Sequence, residues 1–143
     1  MGKVVKSGKS FGGCVAYCMG NNQAEVLYAE GIRSADINKA VADLNMQRKL
    51  NPNLGQPVGH IALAFSPNDK LILNDEKMTS IALQYLERMK ILNTQVFIVK
   101  HNDTQHPHLH IVYNRVNNQG KTISDSMLRH KNVKVAKALT LEH

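Results

Sequence analysis

The sequence lacks the features that mark several other protein classes. No apolar run approaches the length of a transmembrane helix, and the start lacks the charged-then-apolar pattern of a signal peptide. There are only two cysteines, Cys14 and Cys18, and without further cysteines they cannot complete a thiolate metal site. We therefore expect a soluble, cytoplasmic protein without membrane insertion, in which both cysteines are reduced core residues.

A second glycine-rich segment is also missing. The segment from Gly2 to Ser10 resembles a phosphate-binding loop, but five residues separate Gly2 from Gly8, whereas that motif has four. Because no other glycine-rich segment supports it, we reject nucleotide binding by such a loop.

The length and composition predict one globular domain. The 143 residues can bury a sizeable core, and 43% hydrophobic against 20% charged residues is ordinary for a folded chain. Residues 141–143 resemble the start of a vector-encoded histidine tag. We therefore expect a domain over residues 1–140, truncated at its C-terminal end if the natural chain is longer, with a tag remnant after it.

The net charge of +7 is unevenly distributed along the chain. Residues 1–10 and 115–140 are strongly basic, whereas the charges between them cancel. A neutral body with basic ends suits a polyanionic partner that extends past the site, although ordinary solubilising charge would look the same. The candidate contacts to such a partner are Lys3, Lys6, Lys9, Arg115, Lys121 and Arg129.

Four of the seven histidines fall within residues 101–110. From His108 onward, polar and apolar positions alternate, which is the period-2 signal of a half-buried strand. Residues 94–100 are rich in β-branched and aromatic side chains and also predict a strand. Together they predict an antiparallel hairpin that turns between Asn102 and Pro107, with His101 at the end of its first arm.

The spacing of these histidines predicts a metal site. Two residues along a strand separate Cα atoms by about 6.6 Å, so His108 and His110 can bind one ion, whereas His106 and His110 would be about 13 Å apart. His101, across the hairpin, supplies the third ligand. The alternative is a polar hairpin whose histidines face solvent. The candidates for an accessory role beside the predicted metal site are His60, His106 and Asn114.

The string H-x-D-x-x-H-P-H-x-H-I-V-x-N-R over residues 101–115 resembles the third motif of plasmid mobilisation relaxases, which are HUH endonucleases. This resemblance to the P-type mobilisation family implies metal-dependent, site- and strand-specific nicking of single-stranded DNA at a transfer origin, to initiate conjugative mobilisation of a plasmid or mobile element. It also implies accessory mobilisation proteins in a relaxosome. The family uses Mg²⁺ or Mn²⁺, although imidazole ligands alone suit Zn²⁺, Ni²⁺ or Co²⁺ equally well.

Tyr17 lies in the segment Ser10-Phe-Gly-Gly-Cys-Val-Ala-Tyr, which predicts a helix from Phe11 to Met19. By composition alone, this tyrosine would be a core residue with its hydroxyl at the edge. The resemblance implies instead the nucleophile that forms a 5′-phosphotyrosine, because the family carries it in a short helix near the amino terminus. Tyr28 is the second choice.

Asp103 is the candidate base or orients a metal-bound imidazole, and the alternative is a turn-forming aspartate.

The predicted order of elements is β-α-β-α-β-α-β-β-β-α. It includes helices capped by Ser10, Ser34 and Asn74, a strand from Val58 to Phe65 that carries His60, and a short strand at residues 121–123 before a last basic helix. This order predicts an α+β sandwich with a mainly antiparallel sheet. It agrees with the ferredoxin-like HUH palm that the resemblance implies, with helices packed on one face and the histidine hairpin at the centre. Phe65-Ser66-Pro67 resembles a further relaxase motif, but Ala64 stands where that motif has a serine.

A second enzyme class shares part of the histidine pattern. Residues His106-Pro-His-Leu-His-Ile-Val112 also resemble histidine-triad nucleotide hydrolases, which use a histidine nucleophile and need no metal. His101, Asp103 and the basic ends favour the relaxase. A DNA-binding palm without catalysis is a third hypothesis.

Overall fold

The computed structural model describes residues 2–20, 24–65, 74–102, 107–126 and 128–142. Five strands form one sheet: β1 (Gly2–Gly8), β2 (Ala24–Glu30), β3 (Val58–Ala64), β4 (Val96–His101) and β5 (His108–Asn114). Four helices surround it: α1 (Phe11–Met19), α2 (Ile37–Arg48), α3 (Asp75–Arg88) and α4 (Leu128–Glu142). Within the described ranges, no helix is both long and apolar enough to span a membrane.

The sheet order is β1-β3-β5-β4-β2, and every neighbouring pair is antiparallel. The strand β5 is therefore central, paired with β3 on one side and with β4 on the other. The predicted α+β class, the antiparallel sheet and the central histidine hairpin are confirmed. The short strand predicted at residues 121–123 is not found, because only a single bridge joins Val116 and Thr122.

The helices cover both faces of the sheet, which corrects the prediction that they pack on one face. One core lies between the sheet and the α3 and α4 helices, and it includes Ile61, Tyr85 and Ile111. A second core lies between the opposite face and the α1 and α2 helices, and it includes Phe11 and Val112. The amphipathic stripe of a helix shows that it must cover a sheet but not which side it covers.

The helix caps agree with two of the three predictions. The Ser10 hydroxyl accepts a hydrogen bond from the Gly13 amide at the start of α1, and Asn74 caps α3 in the same way. The α2 helix is capped by Asp36 and not by Ser34. Both residue types are good caps, so composition alone could not choose between them.

Gly59 allows close packing between β3 and the buried ring of Tyr113. The two residues are paired across the strands, and a Cβ atom at Gly59 would overlap that ring. Tyr113 is only 1% exposed, so the ring cannot move without repacking the core. We expect Gly59→Ala to lower the free energy of unfolding by about 2–3 kcal/mol. Chemical denaturation checks this, with Gly55→Ala as control, because nothing lies within 4 Å of a Cβ at that position.

Candidate active site

The hairpin brings three histidines together on the face covered by α1 and α2. His108 and His110 lie two residues apart on β5, and His101 of β4 is paired directly with His108. One ligand nitrogen from each ring lies within 4.8 Å of the others. This arrangement follows from the alternation of side chains along β5 and from the register of the hairpin.

Two of these rings are oriented by hydrogen bonds. Nε2 of His101 lies 2.8 Å from the carbonyl oxygen of Cys18, so it donates its proton there and leaves Nδ1 for an ion. Nδ1 of His110 lies 2.8 Å from Nε2 of His60. The other ring nitrogen of His110, its own Nε2, is therefore left for an ion. Neutral imidazoles fixed by such partners are good ligands for divalent cations. The donor set therefore fits a divalent metal, without selecting which one.

The α1 helix places Tyr17 beside this histidine group. Phe11, Val15 and Cys18 form the buried side of the helix, so Tyr17 projects from its other side and is 66% exposed. Its ring meets the edge of the His110 ring at a centroid distance of 5.8 Å. A second edge contact joins it to His60 at 6.2 Å. The tyrosine hydroxyl is thus accessible to a large substrate next to a candidate metal ligand.

A cavity of about 560 Å³ opens between β1 and α1. Tyr17, His60 and His110 line its inner part. Lys3, Lys6 and Lys9 also line it, and all three are exposed. A cleft with one sign of charge concentrates ligands of the opposite sign. The geometry therefore suits a polyanion that reaches the tyrosine and the histidines together.

The two cysteines of α1 lie at the same place and belong to the site more closely than the sequence indicated. A hydrogen bond with Cys18 lowers the pKa of Cys14 to about 5, with a smaller contribution from His60 and against the opposing effect of burial. The pKa of the Cys18 thiol is raised by the hydrogen bond with Cys14 and by burial. The helical spacing of the cysteines could be seen in the sequence, but their position over β3 could not.

Arg115 and Asn114, named as candidate DNA-binding and accessory residues, are buried and already bonded. The Arg115 guanidinium donates to the carbonyl oxygens of Ile123 and Gln56 and pairs with Asp125 at 3.4 Å. Asn114 is 0% exposed and donates to the carbonyl oxygen of Leu44. These side chains hold the loop after β5.

The other predicted residues are in varied positions. Arg129 is exposed and lines a second cavity with Lys6, because α4 packs beside β1. Lys121 is exposed beyond the end of β5 opposite the histidines. The hydroxyl of Tyr28 is bonded to Glu30, and its ring packs on the core beneath α3, on the face away from the histidines. Asp103 and His106 lie outside the described residues.

Comparison with known families decides the identity of the domain. A family model described as Relaxase: MobA/VirD2-like, nuclease domain matches residues 17–143, beginning at Tyr17. The chain belongs to the relaxases. Comparison with curated proteins gave no significant match.

Membership in the relaxases makes this an endonuclease domain that acts in DNA nicking for mobilisation, on single-stranded DNA at an origin. The family generally uses a divalent metal, and the histidine group of this chain can hold one. The histidine-triad hydrolase, which shares only the spacing of His106, His108 and His110, is therefore set aside.

Proposed function

We propose that this relaxase domain cuts one DNA strand by transesterification, with Tyr17 as the nucleophile and His101, His108 and His110 as ligands of a divalent cation. One observation carries the proposal: the exposed ring of Tyr17 stands against His110 at the inner end of a lysine-lined cavity. This arrangement supports the proposal, because a tyrosine hydroxyl, a candidate metal ligand and three lysines lie within reach of one substrate.

In this proposal each group has a distinct task. His101, His108 and His110 would hold the cation, Mg²⁺ or Mn²⁺, which would supply positive charge to offset that of the scissile phosphate. The Tyr17 hydroxyl loses its proton and attacks phosphorus, and the bond to the 3′-oxygen breaks. The products are a 5′-phosphotyrosine and a strand that ends in a 3′-hydroxyl. Asp103 remains our candidate for accepting the tyrosine proton or for orienting an imidazole.

The hydrogen bonds around the histidines support their proposed task. His101 is held by the carbonyl oxygen of Cys18, the residue that follows Tyr17, so the helix of the nucleophile also orients a ligand. His60 does the same for His110. A shift of α1 would therefore disturb both Tyr17 and the histidine group.

We further propose that the domain spans residues 1–140 and works with accessory relaxosome proteins.

A covalent-capture experiment tests the proposal as a whole. The protein is incubated with Mn²⁺ and a randomised single-stranded DNA library, and species that survive denaturing electrophoresis are recovered and sequenced. We expect a metal-dependent protein–DNA adduct on the 5′ side of the break, enriched in one sequence, and no adduct with a chelator. Chelator-resistant hydrolysis of small nucleotides without an adduct would contradict the proposal and favour the histidine-triad chemistry.

The lysines of the cavity should dominate the salt dependence of DNA binding. Each phosphate neutralised on single-stranded DNA contributes about −0.7 to the slope of log K against log salt, so Lys3→Gln/Lys6→Gln/Lys9→Gln should reduce the slope by about 2. The matched control is Lys39→Gln/Lys49→Gln/Lys90→Gln, which removes the same charge at exposed positions away from the cavity and outside the basic ends. Fluorescence anisotropy over a range of salt concentrations measures both slopes. Equal changes in the two variants would show that only net charge matters.

A further inference from the structure

A second group of metal-ligating side chains lies beneath α1, on the other side of His110 from His101. Ligand atoms of Cys18, His60 and His110 lie within 4.8 Å of one another. Cys14 lies one helical turn before Cys18 on α1 and lines the same cavity as His60 and His110. One sulfur and two nitrogens, from α1, β3 and β5, are therefore close enough together for one ion, and Cys14 lies beside them.

This donor set differs in chemistry from the three-histidine group. Thiolates are soft ligands that favour cations of the Zn²⁺ class, whereas Mg²⁺ and Mn²⁺ favour oxygen. A tetrahedral zinc ion has bonds of about 2.3 Å to sulfur and about 2.0–2.1 Å to nitrogen, so its donors lie roughly 3.3–3.8 Å apart. The 2.8 Å contact between His60 and His110 is shorter than that range. The distance within which all the ligand atoms of Cys18, His60 and His110 lie from one another, 4.8 Å, is longer. The spacing that zinc requires therefore lies within the range found for the Cys18, His60 and His110 donors, and Cys14, one helical turn from Cys18, is the candidate for the fourth donor.

We propose that Cys14, Cys18, His60 and Nδ1 of His110 form a second cation site, which takes a thiophilic divalent cation of the Zn²⁺ class. Binding forms two metal–sulfur and two metal–nitrogen bonds. The two thiol protons are released to solvent, and the hydrogen bond between His60 and His110 is replaced. Both sites use His110, through Nδ1 here and through Nε2 in the histidine group, so filling both sites at once requires its imidazolate form and releases a third proton.

The position of the site gives it a defined effect on α1. Cys14 and Cys18 are one helical turn apart, and Tyr17 lies between them in sequence. A cation bound to both thiolates and to strand histidines ties the helix of the nucleophile to β3 and β5. The site therefore fixes Tyr17 relative to the histidine group.

Absorption spectroscopy with Co²⁺ as the probe tests the site without DNA or nicking, so its outcome is independent of the proposed function. Under a metal-free reductant, one equivalent of Co²⁺ should give the near-ultraviolet charge-transfer band of thiolate ligation. Cys14→Ser and His60→Ala should each reduce the band severalfold, and Cys14→Ser/Cys18→Ser should abolish it. His101→Ala, which removes a ligand of the histidine group only, should retain it.

Hydrogen–deuterium exchange of α1 provides a second measurement. One equivalent of Zn²⁺ should slow exchange of the α1 amides by at least about tenfold in the wild type and not in His60→Ala, which leaves both cysteines in place. Circular dichroism establishes that each variant is folded. Absence of the charge-transfer band in the wild type, or its loss in folded His101→Ala, overturns the proposal.

Discussion

Tyr17→Phe should bind single-stranded DNA like the wild type and form no covalent adduct. The substitution removes the attacking oxygen, so we expect the rate of adduct formation to fall at least about a thousandfold. The ring contacts with His60 and His110 do not need the hydroxyl. Because the side chain is 66% exposed, the free energy of unfolding should change by less than about 0.5 kcal/mol. Denaturing electrophoresis measures the adduct, and anisotropy measures binding.

Tyr28→Phe is the matched control, because it makes the same change on the opposite face of the sheet. It should form the adduct at close to the wild-type rate. Peptide mass mapping of the wild-type adduct identifies the attachment site directly. If the DNA is attached to Tyr28, the assignment of Tyr17 is wrong, and if a histidine carries the phosphate, the transesterification mechanism is wrong.

Single alanine substitutions at His101, His108 and His110 should each weaken Mn²⁺ binding by more than about 100-fold. Loss of an oriented partner of a ligand already costs 10–100-fold in affinity, so loss of the ligand itself should cost more. Titration followed by electron paramagnetic resonance of unbound Mn²⁺ measures the affinity. Adduct formation should fall in parallel, since the same cation serves the phosphate.

Two further alanine variants test the ligand assignment. His130→Ala changes an exposed histidine of α4 and should leave Mn²⁺ affinity unchanged. His106→Ala should cause a small loss, because the spacing of the sequence puts that residue beyond reach of the ion. If His106→Ala abolished binding while His101→Ala did not, the ligand set would have to be reassigned. Thermal unfolding of each variant separates loss of metal from loss of fold.

The histidine face could be predicted because strand geometry is local. Alternation along β5 predicted His108 and His110 on one side and Leu109 and Ile111 on the other. In the structure Leu109 and Ile111 are in the core beneath α3 and α4, whereas His108 and His110 are in the histidine group on the opposite face. The hairpin register then placed His101 opposite His108. A period of two residues fixes such facing wherever one side is buried.

The parts that depend on docking between distant elements could not be predicted in the same way. Nothing local in α1 states that it covers β3, so the contact between His60 and Tyr17 and the position of Cys14 were not foreseen. Arg115 shows the same limit. Its charge suggested DNA, but its pairing with Asp125 depends on a loop that folds back on the end of β5.

The strand order has a consequence for how the protein reaches its native state. Among the strands of the described residues, only β4 and β5 are neighbours both along the chain and in the sheet, whereas every other pairing joins strands separated by an intervening strand. Closure of long loops is slow, so the hairpin that carries His101, His108 and His110 can form early, before β1 and β2 reach the edges. During refolding the proposed metal-binding half of the site would therefore form before Tyr17, the proposed nucleophile, reaches its place, and a chain that has not finished folding would bind a cation without cutting DNA.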